Sequence, residues 1–188
     1  MSDQDSGAVR AANPDVAGLM SGGNAAGHWV LDPAGSSVEF AVRHFWGAIT
    51  VRGSFGTITG EGTVGEAGTA TGWLNLDATS LSTRNKQRDQ HLRSADFFDV
   101  EHHPRVVVTV TAARPAGPDA LACQGTLEAA GHTEPIEFTA RVEIASENAI
   151  VLHAEIEVDR TKFAMTWSPL RVAAFPARGT AVARFVRS

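Results

Sequence analysis

The sequence predicts an all-β domain of about eight antiparallel strands, on three observations. Apolar and polar residues alternate with a period of two in several stretches. Short segments rich in Gly, Pro and Asp separate those stretches, and only one part of the domain reads as helix. Period two with one polar face describes a strand with one side on a core and the other in water. Such strands, joined by short turns, form a sandwich or a closed barrel, and closure removes exposed edges. Periodicity alone leaves both open.

Residues 1–27 are rich in Gly, Ala, Ser and Asp without a sustained period, and predict a flexible tail before a domain over residues 28–188. In Ser37–Arg43, Val38, Phe40 and Val42 share one face while Ser37, Glu39 and Arg43 share the other. Ile49–Ile58, Ala70–Ala78, Arg105–Thr111 and Leu121–Leu127 follow less strictly. In Ile136–Ile144, Ile136, Phe138, Ala140, Val142 and Ile144 oppose Glu137, Thr139, Arg141 and Glu143. Ile150–Asp159 repeats the pattern, and Thr180–Val186 can close the sheet. Pro115–Asp119, Ala129–His132 and Ser146–Ala149 read as turns. Ser82–Ser94 (STRNKQRDQHLRS) breaks the alternation and is rich in helix formers, with Ser82 or Thr83 as cap. Leu92 is its only large apolar residue and Phe97 and Phe98 lie just beyond, so this helix should lie across the side or mouth of the sheet.

The chain has 188 residues, 43% of them hydrophobic, enough for one core. A net charge of −5 argues against a nucleic-acid partner, because phosphate contact needs an excess of cations on one face. Cys123 is the single cysteine, which excludes an intrachain disulfide and a multi-thiolate zinc site. It alternates in phase with Leu121, Gly125 and Leu127 and reads as a small core residue. No stretch approaches the roughly eighteen apolar residues of a membrane-spanning helix. Asp3 and Asp5, with no apolar run behind them, give no signal peptide, so the expected compartment is the cytoplasm.

Chemistry is sparse. No Gly-x-Ser-x-Gly and no phosphate-binding loop occurs. The seven histidines, His28, His44, His91, His102, His103, His132 and His153, lack metal-ligand spacing, and His102 and His103 would point to opposite faces of a strand. No metal, no required cofactor and no catalytic residue is expected. Arg84 and Arg88 are four apart and would share a helical face, which makes sense if an anionic head group rests nearby. The plainer reading is a solvated face with an exposed Asp89–Arg93 pair. Small residues on the inward faces, Gly53, Ala78, Gly125, Ala140 and Ala154, tilt the interior toward a cavity.

Five blocks carry a resemblance to a known family. They are Trp29–Asp32 with Ser37–His44, Gly53–Gly56, Arg88–Asp99 (RDQHLRSADFFD) followed by His103-Pro104, Leu127–Ile136, and Asp159–Trp167 (DRTKFAMTW). In this order, over residues 28–168, they resemble the YceI-like family of polyisoprenoid-binding, lipocalin-like barrels. The resemblance implies an elongated eight-stranded antiparallel barrel with one short helix beside it. It also implies an isoprenoid lipid inside, a quinone or a polyprenyl phosphate, carried or sequestered without catalysis. Homodimers and transient membrane contact fit the same picture. Segment 169–179, with Pro169 and Pro176, departs from the family pattern.

On this reading the ligand-binding wall comprises Val38, Phe40, Val42, His44 and Trp46, then Val51, Phe55, Leu74 and Leu76. Arg84, Arg88, Leu92, Phe97 and Phe98 come from the helical region. Leu127, Phe138, Val142, Ile156, Phe163, Met165 and Trp167 complete it. The alternative is an enzyme or redox accessory acting on an isoprenoid quinone, with His44, His91 or Asp89 at the head group. A barrel filled by its own side chains, serving only as an interaction module, is the third reading.

Overall fold

The alternating segments fold as strands β1 (Gly27–Leu31), β2 (Ser37–His44), β3 (Ile49–Phe55), β4 (Ile58–Val64), β5 (Ala70–Asp77) and β6 (Leu81–Ser82). They continue as β7 (Arg105–Pro115), β8 (Ala120–Ala129), β9 (His132–Ser146), β10 (Ala149–Val158) and β11 (Ala177–Arg187). This computed structural model describes residues 15–44, 49–166 and 176–188. Every pairing is antiparallel, in the order β1-β4-β5-β7-β8-β9-β10-β11, and β11 returns to β1 through Leu31 opposite Phe185. The ring is therefore a closed eight-stranded barrel, not a sandwich.

β2, β3 and β6 extend three of these strands beyond a break. β1 and β2 lie along the same edge of β11, the first on residues 185–187 and the second on 177–182. A 3-10 turn at Pro33–Gly35, capped by the Asp32 carboxylate, separates them. β3 passes into β4 through Gly56 and Thr57, and β5 into β6 through a 3-10 turn at Ala78–Ser80 capped by Asp77. These breaks are neighbours: the Gly56 and Thr57 N–H groups both donate to Ser80 Oγ at 3.0 Å. Asp carboxylates suit such positions because they accept from a backbone N–H two residues on.

Among the described residues two α-helices accompany the barrel. α1 (Val16–Ser21) is capped by Asp15, and its Val16 and Met20 are buried. The flexible tail expected through residue 27 is thus corrected: residues 15–27 hold a helix and the start of β1, ordered by apolar burial that the Gly/Ala-rich composition conceals. α2 (Lys86–Arg93) starts later than expected, with Asn85 as cap in place of Ser82 or Thr83. The expected strand Ile49–Ile58 ends at Phe55 as β3, and the expected eight omitted β1, β4 and β6.

The core has two parts. One gathers Leu31, Phe55, Ile58, Leu81, Phe97 and Phe163 near α2; the other gathers Val16, Met20, Ala113, Leu121, Cys123 and Ala140 near α1. Leu152 packs against both, so the two are ends of one elongated interior.

Candidate functional site

Because side chains alternate along each strand, closing the sheet turns one complete apolar set inward. The barrel does not fill itself with that set. A cavity of about 550 Å³ runs between the two core clusters, from Val16 and Met20 to Leu92, Phe97 and Phe163. That volume lies within the roughly 300–1,000 Å³ usual for small-molecule sites.

The walls can be followed strand by strand. Val38, Phe40 and Val42 of β2 line the cavity beside Val51 and Phe55 of β3 and Leu74 and Leu76 of β5. Leu127, Phe138, Val142 and Ile156 line it from β8, β9 and β10. At the α2 end stand Leu92, Phe97 and Phe98, with Phe163 and Met165 from the turn after β10. Rings of Phe40, Phe55 and Phe98 meet there at centroid distances of 5.6–6.5 Å. The His44 side chain, Trp46 and Trp167 lie outside the described residues.

Several wall residues escaped the sequence reading. Val106, Val108 and Val110 line the cavity from β7, where their continuous apolar run hides the alternation. Ala177, Gly179, Ala181 and Ala183 line it from β11. These residues, with Ala140 and Ala154, are the small side chains that leave room. The other three small residues singled out in the sequence do not line the cavity. A methyl on Gly53 would sit 2.4 Å from the Phe40 ring, and one on Gly125 would sit 1.8 Å from the Thr109 carbonyl oxygen. Their missing side chains serve close packing. Ala78 is wholly buried in its 3-10 turn.

The arginine pair is also corrected. Arg84 precedes α2 in a left-handed conformation (φ 61°), is exposed and does not line the cavity, so the two do not share a helical face. Arg88 does reach the cavity, but its Nε donates to Thr83 Oγ1 at 2.7 Å and its Nη2 to the Thr83 carbonyl at 2.9 Å. Asp89, expected on a solvated face with Arg93, is buried and accepts from the Thr83 N–H at 2.7 Å and hydroxyl at 2.5 Å. Burial alone would raise its pKa. Those hydrogen bonds, the charge of Arg93 and a contact from Ser82 outweigh it and hold the carboxyl below its usual range. Arg93 donates to the Leu81 carbonyl at 2.5 Å. β6, whose one strand partner is β3, therefore has its other side latched by α2.

The histidines do not converge. His91 lines the cavity, with Nε2 3.0 Å from Asp96. His102 and His103 precede β7 in a turn, not a strand, and His102 pairs with Asp99 at 3.0 Å. His153 approaches Glu143 at 3.4 Å. Among the described residues no group of three or more His, Cys, Asp or Glu is placed to hold a metal ion. Cys123 faces the cavity, and burial pushes its pKa up to about 11, so at neutral pH it is a thiol rather than a nucleophilic thiolate. No helix among the described residues is long and apolar enough to cross a membrane.

A closed antiparallel barrel around a roomy apolar bore, with a short helix at its mouth, is a lipocalin-like architecture. Residues 29–184 match the model of the YceI-like domain, and the chain belongs to that family. A UPF0312 protein of Vibrio campbellii is 33% identical over 123 residues, covering 63% of this chain and 64% of the relative, just under two thirds of its length. One of Pectobacterium carotovorum is 32% identical over 132 residues, 68% of each chain. Among solved structures, BcnA of Burkholderia cenocepacia superposes with a TM-score of 0.73 at 15% identity, covering 82% of this chain and 98% of that one. A polyisoprenoid-binding domain from Saccharophagus degradans gives 0.69 at 17% identity, covering 85% and 98%. At such identities the superpositions establish the shared fold.

Proposed function

We propose that this protein binds an isoprenoid lipid by its hydrocarbon chain inside the barrel and carries or sequesters it without chemical conversion. The observation that carries the reading is the bore itself, about 550 Å³ walled by aliphatic and aromatic side chains from α1 to α2. Each buried methylene contributes about 0.8 kcal/mol, so roughly ten of them supply the ~8 kcal/mol of micromolar binding before ordering costs. An isoprenoid suits such a bore because it is long, slim and wholly apolar along its length. The Saccharophagus degradans neighbour, described as polyisoprenoid-binding, supports the same ligand class. A quinone and a polyprenyl phosphate both meet the requirement of the walls.

Of the three polar groups that a redox or enzymatic reading would use, Asp89 is bound to Thr83 and His91 to Asp96, and the His44 side chain lies outside the described residues. The test is organic extraction of protein purified without detergent, followed by mass spectrometry, and titration of the extracted protein with a ubiquinone. A co-purifying isoprenoid or saturable uptake is expected. Repeated absence of both would remove the proposal.

A further inference from the structure

The match to the YceI-like domain begins at residue 29, and one end of the bore is closed by a segment that precedes it. That segment is fastened to the barrel rim at separate places. The Val16 N–H donates to the Pro118 carbonyl at 2.8 Å, in the turn between β7 and β8. In the turn between β4 and β5, Gly68 packs so close that a methyl on it would meet the Met20 carbonyl oxygen at 3.3 Å. The Asn24 carbonyl accepts from Arg187 at the end of β11. Between these tethers α1 turns one face to the bore. Val16 and Met20 are spaced i, i+4, so they stand one above the other on the helix, and each is 4% exposed. Both line the cavity, as does Leu19. No residue of α1 (VAGLMS) carries a charge, and Val16 and Met20 cluster with Ala113, Leu121, Cys123 and Ala140. Such a surface suits the methyl end of a hydrocarbon rather than a polar head.

Sideways, the bore is enclosed by a closed ring of strand pairings, so a guest can grow only along its length. We infer that α1 is the end stop of the bore, and that Val16 and Met20 set how many isoprene units of a guest are buried. Each added unit gains apolar burial until the terminal methyls reach these two side chains. Further units stay outside or must lift α1 from the rim. The stop has a definite size. Trimming both residues to Ala removes Cγ, Sδ and Cε of Met20 and both Cγ atoms of Val16, as many non-hydrogen atoms as an isoprene unit has carbons. Surrounding structure relaxes only partly into such a vacancy, so the limit moves outward by about one unit.

This inference rests on the lipid reading above, and the experiment separates the two. The probes are all-trans polyprenols from geraniol to decaprenol, presented from cyclodextrin, which share a hydroxyl head and lengthen by single isoprene units. Affinities are measured for the wild type and for the full-length Val16→Ala/Met20→Ala variant. Wild-type affinity is expected to climb with each unit and then level off at a definite length. In the double variant the first chain past that length should gain about tenfold in affinity. The absence of a limit in the wild type, or a limit at the same length in both proteins, overturns the inference. A second readout needs no variant. Hydrogen exchange in wild-type residues 15–27 should slow about threefold or more when chains of the limiting length are bound, and shorter chains should leave it unchanged. Exchange in α1 that ignores chain length overturns the inference even if the variant does not fold. If no polyprenol binds the wild type, the lipid reading itself falls and the stop with it.

Discussion

At one end of the bore α1 places Val16 and Met20 in a cluster with Ala113, Leu121 and Cys123. Its tethers there end on backbone carbonyls: the Val16 N–H donates to the Pro118 carbonyl at 2.8 Å, the Trp29 indole to the Ala25 carbonyl at 3.0 Å, and the Arg187 guanidinium to the Asn24 carbonyl. At the other end α2 is held by side-chain charge, with Asp89, Arg88 and Arg93 all fastened to the Leu81–Thr83 segment. The first closure is chiefly apolar, a stopper of Val16 and Met20 with one guanidinium, that of Arg187, at its margin. The second is a polar latch whose removal leaves buried donors unpaired. The two closures therefore differ in kind, apolar packing by α1 and a buried carboxylate network by α2.

The largest test of that contrast strikes the latch end. Leu81 is fully buried beneath α2, so Leu81→Ala should lower global stability by about 3 kcal/mol in urea unfolding. Asp89→Ala, which strands the Thr83 N–H and hydroxyl, should follow at about 2–3 kcal/mol. Met20→Ala also empties a buried site, but a six-residue helix can detach alone. Its effect, about 2 kcal/mol, should appear as faster hydrogen exchange in residues 15–27 with a much smaller change in global Tm. A global loss as large as that of Leu81→Ala would show that both ends belong to one cooperative unit.

Acid sharpens the comparison further. The folded-state pKa of Asp89 lies below its ordinary 3.8, so its contribution is complete above that pH and is lost as pH falls through the lower folded value. Unfolding measured from pH 5 downward should show a steep acid limb that Asp89→Asn flattens, while Met20→Ala leaves its slope unchanged. The smallest effect is local. Hydrogen bonding to Asp99 raises the pKa of His102 above its ordinary 6.5, and Asp99→Asn should return its NMR titration to that value.

The strongly alternating strands, β2, β9 and β10, were legible because every second residue is large and apolar. β4 was not: in Ile58–Val64 (ITGEGTV) the two middle inward positions between Ile58 and Val64 are Gly60 and Gly62, so the period loses its amplitude there. A methyl on Gly60 would lie 2.8 Å from the Trp73 carbonyl oxygen, which shows what the glycine is for. Along Ala177–Ala183 the inward face of β11 is Ala and Gly, and its room for a ligand looked like blankness. Helix α2 was visible from composition, but Arg84 outside it and Asp89 buried within it depend on the tertiary latch to Thr83. Arg160 belongs to the Asp159–Trp167 block, but its burial was not legible there, since periodicity does not anticipate a cation turned inward.

The three neighbouring interruptions at Pro33–Gly35, Gly56–Thr57 and Ala78–Ser80 have a mechanical consequence. Strands β7 to β11 run past that level without a turn, their ladders shifting register at Val110/Ala112 and Ala149/Ile150, whereas the opposite panel is interrupted by a line of turns. Ladder hydrogen bonds resist shear and spreading; turns absorb them by small torsional changes. A bore built this way concentrates its adjustable torsions on one panel, so any guest of uneven thickness would be accommodated there before the five strands opposite are disturbed.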